Sequence, residues 1–202
     1  LVHHALRARD RAALGRFAPQ AAEQARERGA HREATAHWRV ALEHGQPTDK
    51  VVHRSWLEQF AVECAVTGRA DESLQARRTL ERMARERGDI ADAAIQLSRQ
   101  AVLQITGMRH DLSDQLNRRA LALLEPLAPG PAHGVVWHLQ AYLRMLDRDC
   151  EQSIAWARRA IALADSIGDE EVATLALGAL GTAMLFTDYE QGVGHLLRTL
   201  DR

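Results

Sequence analysis

Residues 153–160 have the sequence SIAWARRA, and their small side chains mark one copy of a pattern that recurs along the chain. Ser153, Ala157 and Ala160 are spaced so that they share one face of a helix. A short side chain equivalent to Ser153 returns at intervals of 39, 40, 40 and 39 residues. These anchor positions are Ala34, Ser73, Ser113, Ser153 and Gly192. A period of this length is typical of helical-repeat proteins.

Two fixed offsets from the anchors also carry mostly small or aliphatic residues. Seven residues after the anchors are Ala41, Leu80, Ala120, Ala160 and Thr199. Twelve residues before them are Ala22, Ala61, Ala101, Ala141 and Leu180. Small residues let two helices pack closely, and such a pair needs neighbouring pairs to bury its apolar face. The sequence therefore predicts an all-α fold of about five antiparallel helix pairs. A non-repetitive bundle with accidental periodicity is the alternative.

The breaks between the predicted helices carry residues that end and begin helices. Glycine follows Arg28, Arg87 and Ile167, where a C-terminal cap is expected. Acidic or hydroxyl residues suited to N-caps open the segments that follow. They are Asp10, Thr48 or Asp49, Asp71, Asp89, Asp111, Asp149, Asp169 and Asp188.

The composition excludes several classes of protein. Hydrophobic residues make up 46% of the chain and charged residues 26%, which are values of a globular protein. The near-neutral balance of 26 basic and 27 acidic residues argues against direct binding of nucleic acid. No apolar run is long enough for a membrane span. The only two cysteines, Cys64 and Cys150, fit a reducing compartment, so we expect a cytoplasmic location.

The pattern of a small residue, a bulky residue four positions later and a small residue three further resembles the tetratricopeptide repeat (TPR). It is clearest in Ala34, Trp38 and Ala41, and it covers about residues 10–202. Arg77 and Asn117 depart from it at the bulky position, and the closing proline of the motif is absent. The resemblance implies a right-handed α-solenoid with repeats near residues 10–45, 48–88, 89–127, 129–167 and 169–202.

The N-terminal residues carry a more specific resemblance. The segments LVHHALRARD (1–10), APQAA (18–22), GAHREA (29–34) and WRVAL (38–42) are similar to the junction after the ATPase module of large LuxR-type transcriptional regulators of high-GC bacteria. The resemblance implies that residues 1–9 are the terminal helix of a preceding, absent module. Residues 10–202 would then be the helical-repeat sensor segment, which contacts flanking modules or a partner protein, with a small effector as a further candidate.

Two other functions stay open. The first is a free-standing TPR adaptor that binds a partner peptide or small ligand in its concave groove. The second is a helical enzyme, which no motif supports, since the chain contains no GxxxxGK[ST], GxSxG, HExxH or CxxC sequence. None of the ten histidines has the spacing of a helical metal site. We therefore predict no catalytic residue, no metal and no cofactor.

Arginines follow the repeat five residues after each of the first four anchors, and Leu197 ends the series. They are Arg39, Arg78, Arg118 and Arg158, with Arg77, Arg119 and Arg159 beside them. One interpretation is a solvated face that is paired with nearby residues such as Glu33, Glu81 and Asp165. The other is a docking strip for an acidic surface.

The first helix of each pair is expected to line a groove that changes character along the chain. The groove positions of the early copies are polar, namely Arg16, Glu23, Arg26, Ser55, Glu58 and Ser98. Those of the later copies are mostly apolar, namely Val135, His138, Tyr142, Met145, Leu177 and Leu185. Such a groove suits a peptide or a small amphipathic ligand. Alternatively, missing repeats or a second copy of the chain, as in a homodimer, cover the apolar end.

Overall fold

A computed structural model describes residues 1–45, 47 and 49–201 of the chain. Within these residues the structure contains eleven helices and no strand, which confirms the all-α prediction. The helices are α1 (Val2–Ala8), α2 (Arg11–Glu27), α3 (His31–His44), α4 (Lys50–Val66), α5 (Ala70–Glu86), α6 (Ile90–Thr106), α7 (His110–Leu124), α8 (Pro131–Leu146), α9 (Cys150–Ile167), α10 (Glu170–Met184) and α11 (Tyr189–Leu200). None of the helices in the described part of the chain is long and apolar enough to cross a membrane.

Most of the predicted helix caps are present. A side-chain carboxylate accepts a backbone N–H at the start of six helices, from Asp10, Asp49, Asp89, Asp149, Asp169 and Asp188. The predictions for Asp71 and Asp111 are wrong, because α5 begins at Ala70 and α7 is capped at Arg109. Both carboxylates lie in the first turn of their helices, where they still favour the helix dipole. Thr48 lies outside the described residues.

The three glycines predicted to end helices have left-handed backbone conformations. Gly29, Gly88 and Gly168 have φ angles of 72°, 71° and 71°. Only glycine adopts this region without a steric cost from Cβ, so these residues provide the left-handed conformation that ends α2, α5 and α9.

The chain forms two compact units, Leu1–Met83 and Ala84–Arg202. In the first unit, α3 packs between α2 and α4, around a core that includes Leu14, Trp38 and Phe60. The three-residue connection between α4 and α5 makes the two helices antiparallel. Ser73 Oγ on α5 donates a hydrogen bond of 2.7 Å to the carbonyl of Ala61 on α4. Ser73 thus joins the two helices of this pair directly.

In the second unit the helices alternate between two roles. Helix α8 contacts α6 and α10 as well as its sequence neighbours α7 and α9. Helices α6, α8 and α10 therefore form a continuous layer, and α7, α9 and α11 each pack against it. The core residues of this unit are mostly small or aliphatic, such as Leu97, Ala120, Val136 and Leu180.

The repeat positions are buried as the sequence predicts. All five anchors and all five residues twelve positions before them are buried. Seven residues after the anchors, only Thr199 is half-buried, while the other four are fully buried. Accidental periodicity would not place these residues consistently in the seams between helices. A larger side chain there would overpack a seam at a cost of about 1–3 kcal/mol.

Candidate functional site

The second unit contains an open cavity of about 570 Å³ on the layer formed by α6, α8 and α10. Helix α11 closes one side of it. We call it the α6–α11 cavity. It is lined by Val102, Ile105, Thr106, His138, Leu139, Tyr142, Met145, Thr174, Leu175, Gly178, Ala179, Thr182, Leu196 and Thr199. Its volume lies within the roughly 300–1,000 Å³ that is usual for small-molecule sites.

The helical period and the repeat period together bring the lining residues to one face. On α8, His138, Tyr142 and Met145 are spaced by four and three residues, so they share one side of the helix. Forty residues before Tyr142 is Val102 on α6, and forty after it is Thr182 on α10. Equivalent positions of three stacked copies therefore form the wall of the cavity.

Most hydroxyl groups in the wall are already used within their own helices. Thr106, Thr182 and Thr199 donate to carbonyls three or four residues earlier, at 2.9, 2.8 and 2.6 Å. These bonds leave a predominantly apolar lining.

Three polar side chains of the wall have no hydrogen-bond partner among the described residues. They are His138, Tyr142 and Thr174. Burial lowers the pKa of His138 from 6.5 to about 4, so its ring is uncharged at neutral pH. An apolar cavity with a few unpartnered polar groups is the usual form of a site that binds and orients an uncharged ligand.

The environment of His138 follows from a difference between equivalent positions of the repeats. The position equivalent to His138 is occupied by Ser98 forty residues earlier and by Glu58 eighty residues earlier. Ser98 Oγ donates to Asn117 Oδ1 at 3.2 Å, and in the first unit Glu58 accepts a hydrogen bond from the buried Arg77. Asn117 lies 19 residues after Ser98, and Arg77 lies 19 residues after Glu58.

The position 19 residues after His138 is Ala157, which offers no polar group. His138 therefore stays without a partner and contributes its ring to the cavity wall. The departures from the TPR pattern at Arg77 and Asn117 have the same explanation, because these residues satisfy polar side chains on the preceding helix.

Asn117 connects three helices of the second unit. Besides its contact with Ser98 on α6, its Nδ2 donates to Gln140 Oε1 on α8 at 3.0 Å and approaches the carbonyl of Val136 at 3.4 Å. Ser98, Asn117 and Gln140 are buried. The prediction that Ser98 faces the groove is therefore wrong, because Asn117 holds its hydroxyl inside the helix layer.

The predicted apolar groove is partly present. His138, Tyr142 and Met145 line the cavity, whereas Leu177 points into the core of the unit and is only 5% exposed. Val135 packs against the cluster of Ala164, Val172 and Ala173. Leu185 is half-buried at the end of α10 and is not part of the wall.

The prediction missed most of the wall residues on α6, α10 and α11. Gly178, not Leu177, lies forty residues after His138, and Ile105 lies forty residues before Met145. The strict forty-residue spacing was the signal that could have found these positions.

The predicted polar groove residues of the first unit are placed separately. Glu23 and Arg26 bind each other at 2.9 Å on the surface of α2. Arg16 is exposed, with its guanidinium 5.3 Å from the ring centre of Phe17, and Ser55 is exposed on α4. Glu58 is half-buried and is paired with Arg77.

The predicted arginine strip contains side chains in different environments. Arg39 binds Glu72 at 2.5 Å, and Arg118 binds Asp114 at 2.8 Å. Arg78 and Arg158 are exposed. Arg77 is buried against Glu58, so it does not widen the strip as the sequence suggested.

The thiols and the potential metal ligands give no sign of a reactive centre. Cys64 is fully buried, and burial raises the pKa of its thiol to about 12. Cys150 is the first residue of α9 and is half-buried. Among the described residues, no group of three or more His, Cys, Asp or Glu side chains is arranged to hold a metal ion.

Comparison with known proteins identifies the fold. The chain is similar to BtubC (BKLC) from P. vanneervenii, with 16% identity, a TM-score of 0.68 and coverage of 100% of this chain and 83% of that one. It is also similar to a kinesin light chain-like protein of Podosopora anserina with nearly identical TPR-like repeats. That match has 11% identity, a TM-score of 0.65 and 92% coverage of both chains. No protein-family model and no curated protein matches the chain. At these identities the similarity concerns the fold, and the chain has the TPR-like helical-repeat fold that its sequence predicts.

Proposed function

We propose that this chain is a non-enzymatic sensor and interaction segment, and that the α6–α11 cavity binds an apolar effector. The observation that carries the proposal is the combination of an apolar wall with the unpartnered His138, Tyr142 and Thr174. The wall buries the body of a ligand, and the three polar groups orient it by hydrogen bonds. Because the pKa of His138 is lowered to about 4, an uncharged ligand is favoured at neutral pH.

The position of the cavity supports a sensing role. Its wall spans α6, α8 and α10, which pack on one another in that order. A ligand in contact with all three helices favours one arrangement of these interfaces over others. Stacked repeats transmit such small changes from neighbour to neighbour, and this is how an effector would alter the surface presented to a partner protein.

A matched pair of glycines tests the cavity. Gly178 lines it and Gly194 does not, yet a Cβ added at either position meets nothing within 4 Å. The probe is N-phenyl-1-naphthylamine, an uncharged dye that fluoresces in apolar surroundings. We expect Gly178→Leu to weaken dye binding by about fivefold or more, since the new side chain occupies the ligand space. Gly194→Leu serves as the control and should leave binding unchanged. Equal binding by both variants would contradict the proposal.

We further propose that the segment belongs to an ATP-dependent LuxR-type transcriptional regulator of the bacterial cytoplasm. The support is the similarity of segments 1–10, 18–22, 29–34 and 38–42 to the junction after the ATPase module. The complete reading frame tests this context. A nucleotide-binding module with GxxxxGK[ST] upstream and a helix-turn-helix domain downstream are expected. A frame without them would favour the free-standing adaptor instead.

Association of two copies through the C-terminal helices is the competing explanation for apolar surface in this region. Leu197 and Leu200 on α11 are 56% and 81% exposed. Sedimentation equilibrium over a wide range of protein concentration distinguishes the two explanations. A dimer that dissociates in the Leu197→Glu variant, while dye binding increases, would show that the second copy covers the cavity. A monomer that binds the dye supports the effector site.

A further inference from the structure

A second groove of about 750 Å³ lies in the same unit and shares no residue with the α6–α11 cavity. It runs between α7 and α9, with the first half of α8 and the α7–α8 connection completing its walls. Its most distinctive residues are Trp137 on α8 and Trp156 and Arg159 on α9. We call it the tryptophan–arginine groove.

The guanidinium group of Arg159 lies over two indole rings. Its central carbon lies 4.3 Å from the ring centre of Trp137 and 4.7 Å from that of Trp156. In these cation–π contacts the charge of the guanidinium is attracted to the faces of the rings. No described residue forms an ion pair or hydrogen bond with Arg159. The cation–π contacts thus hold the side chain in place, and its N–H donors stay available to a ligand.

Trp137 and Trp156 form what we call the tryptophan platform, and His133 fixes the ring of Trp137. The N–H of Gly130 donates to His133 Nδ1 at 3.2 Å, so the ring proton is on Nε2, which donates to the carbonyl of Leu124 at 3.2 Å. The oriented imidazole meets Trp137 edge-on, with 5.2 Å between ring centres. This arrangement limits the movement of the platform and lowers the entropic cost of binding a ligand to it.

The charge of the groove favours a monovalent anion. Arg118 and Arg159 line it together with a single carboxylate, Glu125. Arg118 is 65% exposed and shares Asp114 with Arg144, which leaves donors of its guanidinium free for a ligand. A planar carboxylate matches the edge of a guanidinium in a two-bond geometry. Glu125 would repel a dianionic phosphate more strongly than a carboxylate.

We infer that the tryptophan–arginine groove binds the carboxylate side chains of an acidic segment of a partner protein, with Arg159 as the main contact. The indole rings of the platform pack against the aliphatic carbons of the same segment. The inference concerns a different surface from the proposed effector site, and either can hold without the other.

The probe for this site is a fluorescein-labelled octaglutamate peptide, whose binding to the whole chain is followed by fluorescence anisotropy at low salt. We expect Arg159→Gln to raise the Kd by roughly tenfold, the effect of losing one charge-assisted pair of hydrogen bonds. Arg158→Gln is the matched control, because it removes the same charge from the neighbouring exposed position outside the groove. Arg159→Lys keeps the charge but loses the planar fork, so we expect an intermediate Kd.

Each other outcome identifies a different error in the inference. Equal losses in the Arg158 and Arg159 variants would mean that the peptide senses only the overall charge. Stronger competition by inorganic phosphate than by acetate at equal ionic strength would overturn the carboxylate assignment. Tighter binding of an oligothymidylate than of octaglutamate, lost in Arg159→Gln, would assign the groove to nucleic acid. Absence of peptide binding at low salt would also overturn the inference, once circular dichroism shows that the chain is folded.

Discussion

Substituting Gly192 by alanine should destabilise the contact between α10 and α11. A Cβ at this position would lie 2.7 Å from the backbone nitrogen of Leu185, 2.9 Å from the carbonyl carbon of Met184 and 3.0 Å from the carbonyl oxygen of Gly181. These are backbone atoms of the α10 segment, and they cannot move aside by changing a rotamer. Overpacking of this kind costs about 1–3 kcal/mol, and we expect a value near the upper end.

The same substitution at Gly194 provides the reference. An added Cβ there meets nothing within 4 Å, so only the better helix propensity of alanine remains, and this stabilises by about 1 kcal/mol. Gly192→Ala gains the same increment, and subtracting it from a steric cost of about 3 kcal/mol leaves a net destabilisation of about 2 kcal/mol. The two variants should therefore differ by roughly 3 kcal/mol.

Urea unfolding followed by circular dichroism measures the free energy of unfolding of both variants. Because single helices can open without global unfolding, hydrogen exchange of residues 189–200 should be measured in parallel. We expect faster exchange in Gly192→Ala and slower exchange in Gly194→Ala. Equal stability and equal exchange in the two variants would refute the close packing of α11 on α10.

Three further outcomes are expected. Asn117→Ala should lower the free energy of unfolding by about 3 kcal/mol, because it leaves buried polar partners on α6 and α8 unsatisfied. The adjacent exposed Arg118→Ala should cost far less in the same urea titration. Since folding lowers the pKa of His138 from 6.5 to about 4, the unfolded chain binds its proton first, and the fold loses stability as the pH falls through this range. Between pH 7.5 and 4.5 the native chain should therefore lose about 2 kcal/mol more than His138→Leu, and an equal loss would exclude this role. Iodoacetamide at pH 8 should modify half-buried Cys150 well before the fully buried Cys64, as followed by mass spectrometry.

The helical-repeat fold was predictable because its signal is redundant. The anchors and the positions seven after and twelve before them all report the same close packing of helices. A departure at a single position, such as the half-buried Thr199, does not obscure such a pattern. The N-cap predictions at Asp71 and Asp111 failed because each helix begins two residues earlier than such a cap requires, which places both carboxylates inside the first turn.

The candidate sites were less predictable because they depend on single side chains. The sequence predicts the apolar Leu177 in the groove, but Leu177 is buried, and its neighbour Gly178, where an added Cβ would meet nothing within 4 Å, lines the cavity. Arg77 and Arg78 are adjacent and chemically identical, yet one is buried and the other exposed. The contact of Arg159 with Trp137 and Trp156 involves two helices. Its sequence signal is the 19-residue spacing of the two tryptophans, which also relates Ser98 to Asn117.

The contacts of Asn117 have a consequence for how an array like this can evolve. Its amide accepts from Ser98 within its own helix pair and donates to Gln140 in the next pair, so a complementary polar contact joins the two neighbouring copies. Unequal recombination that deleted or duplicated one forty-residue copy would keep the helical frame but bring the wrong neighbours together. An amide would then be enclosed without a mate, at a cost of about 1–3 kcal/mol. We therefore expect selection against rearrangements that separate Asn117 from Gln140.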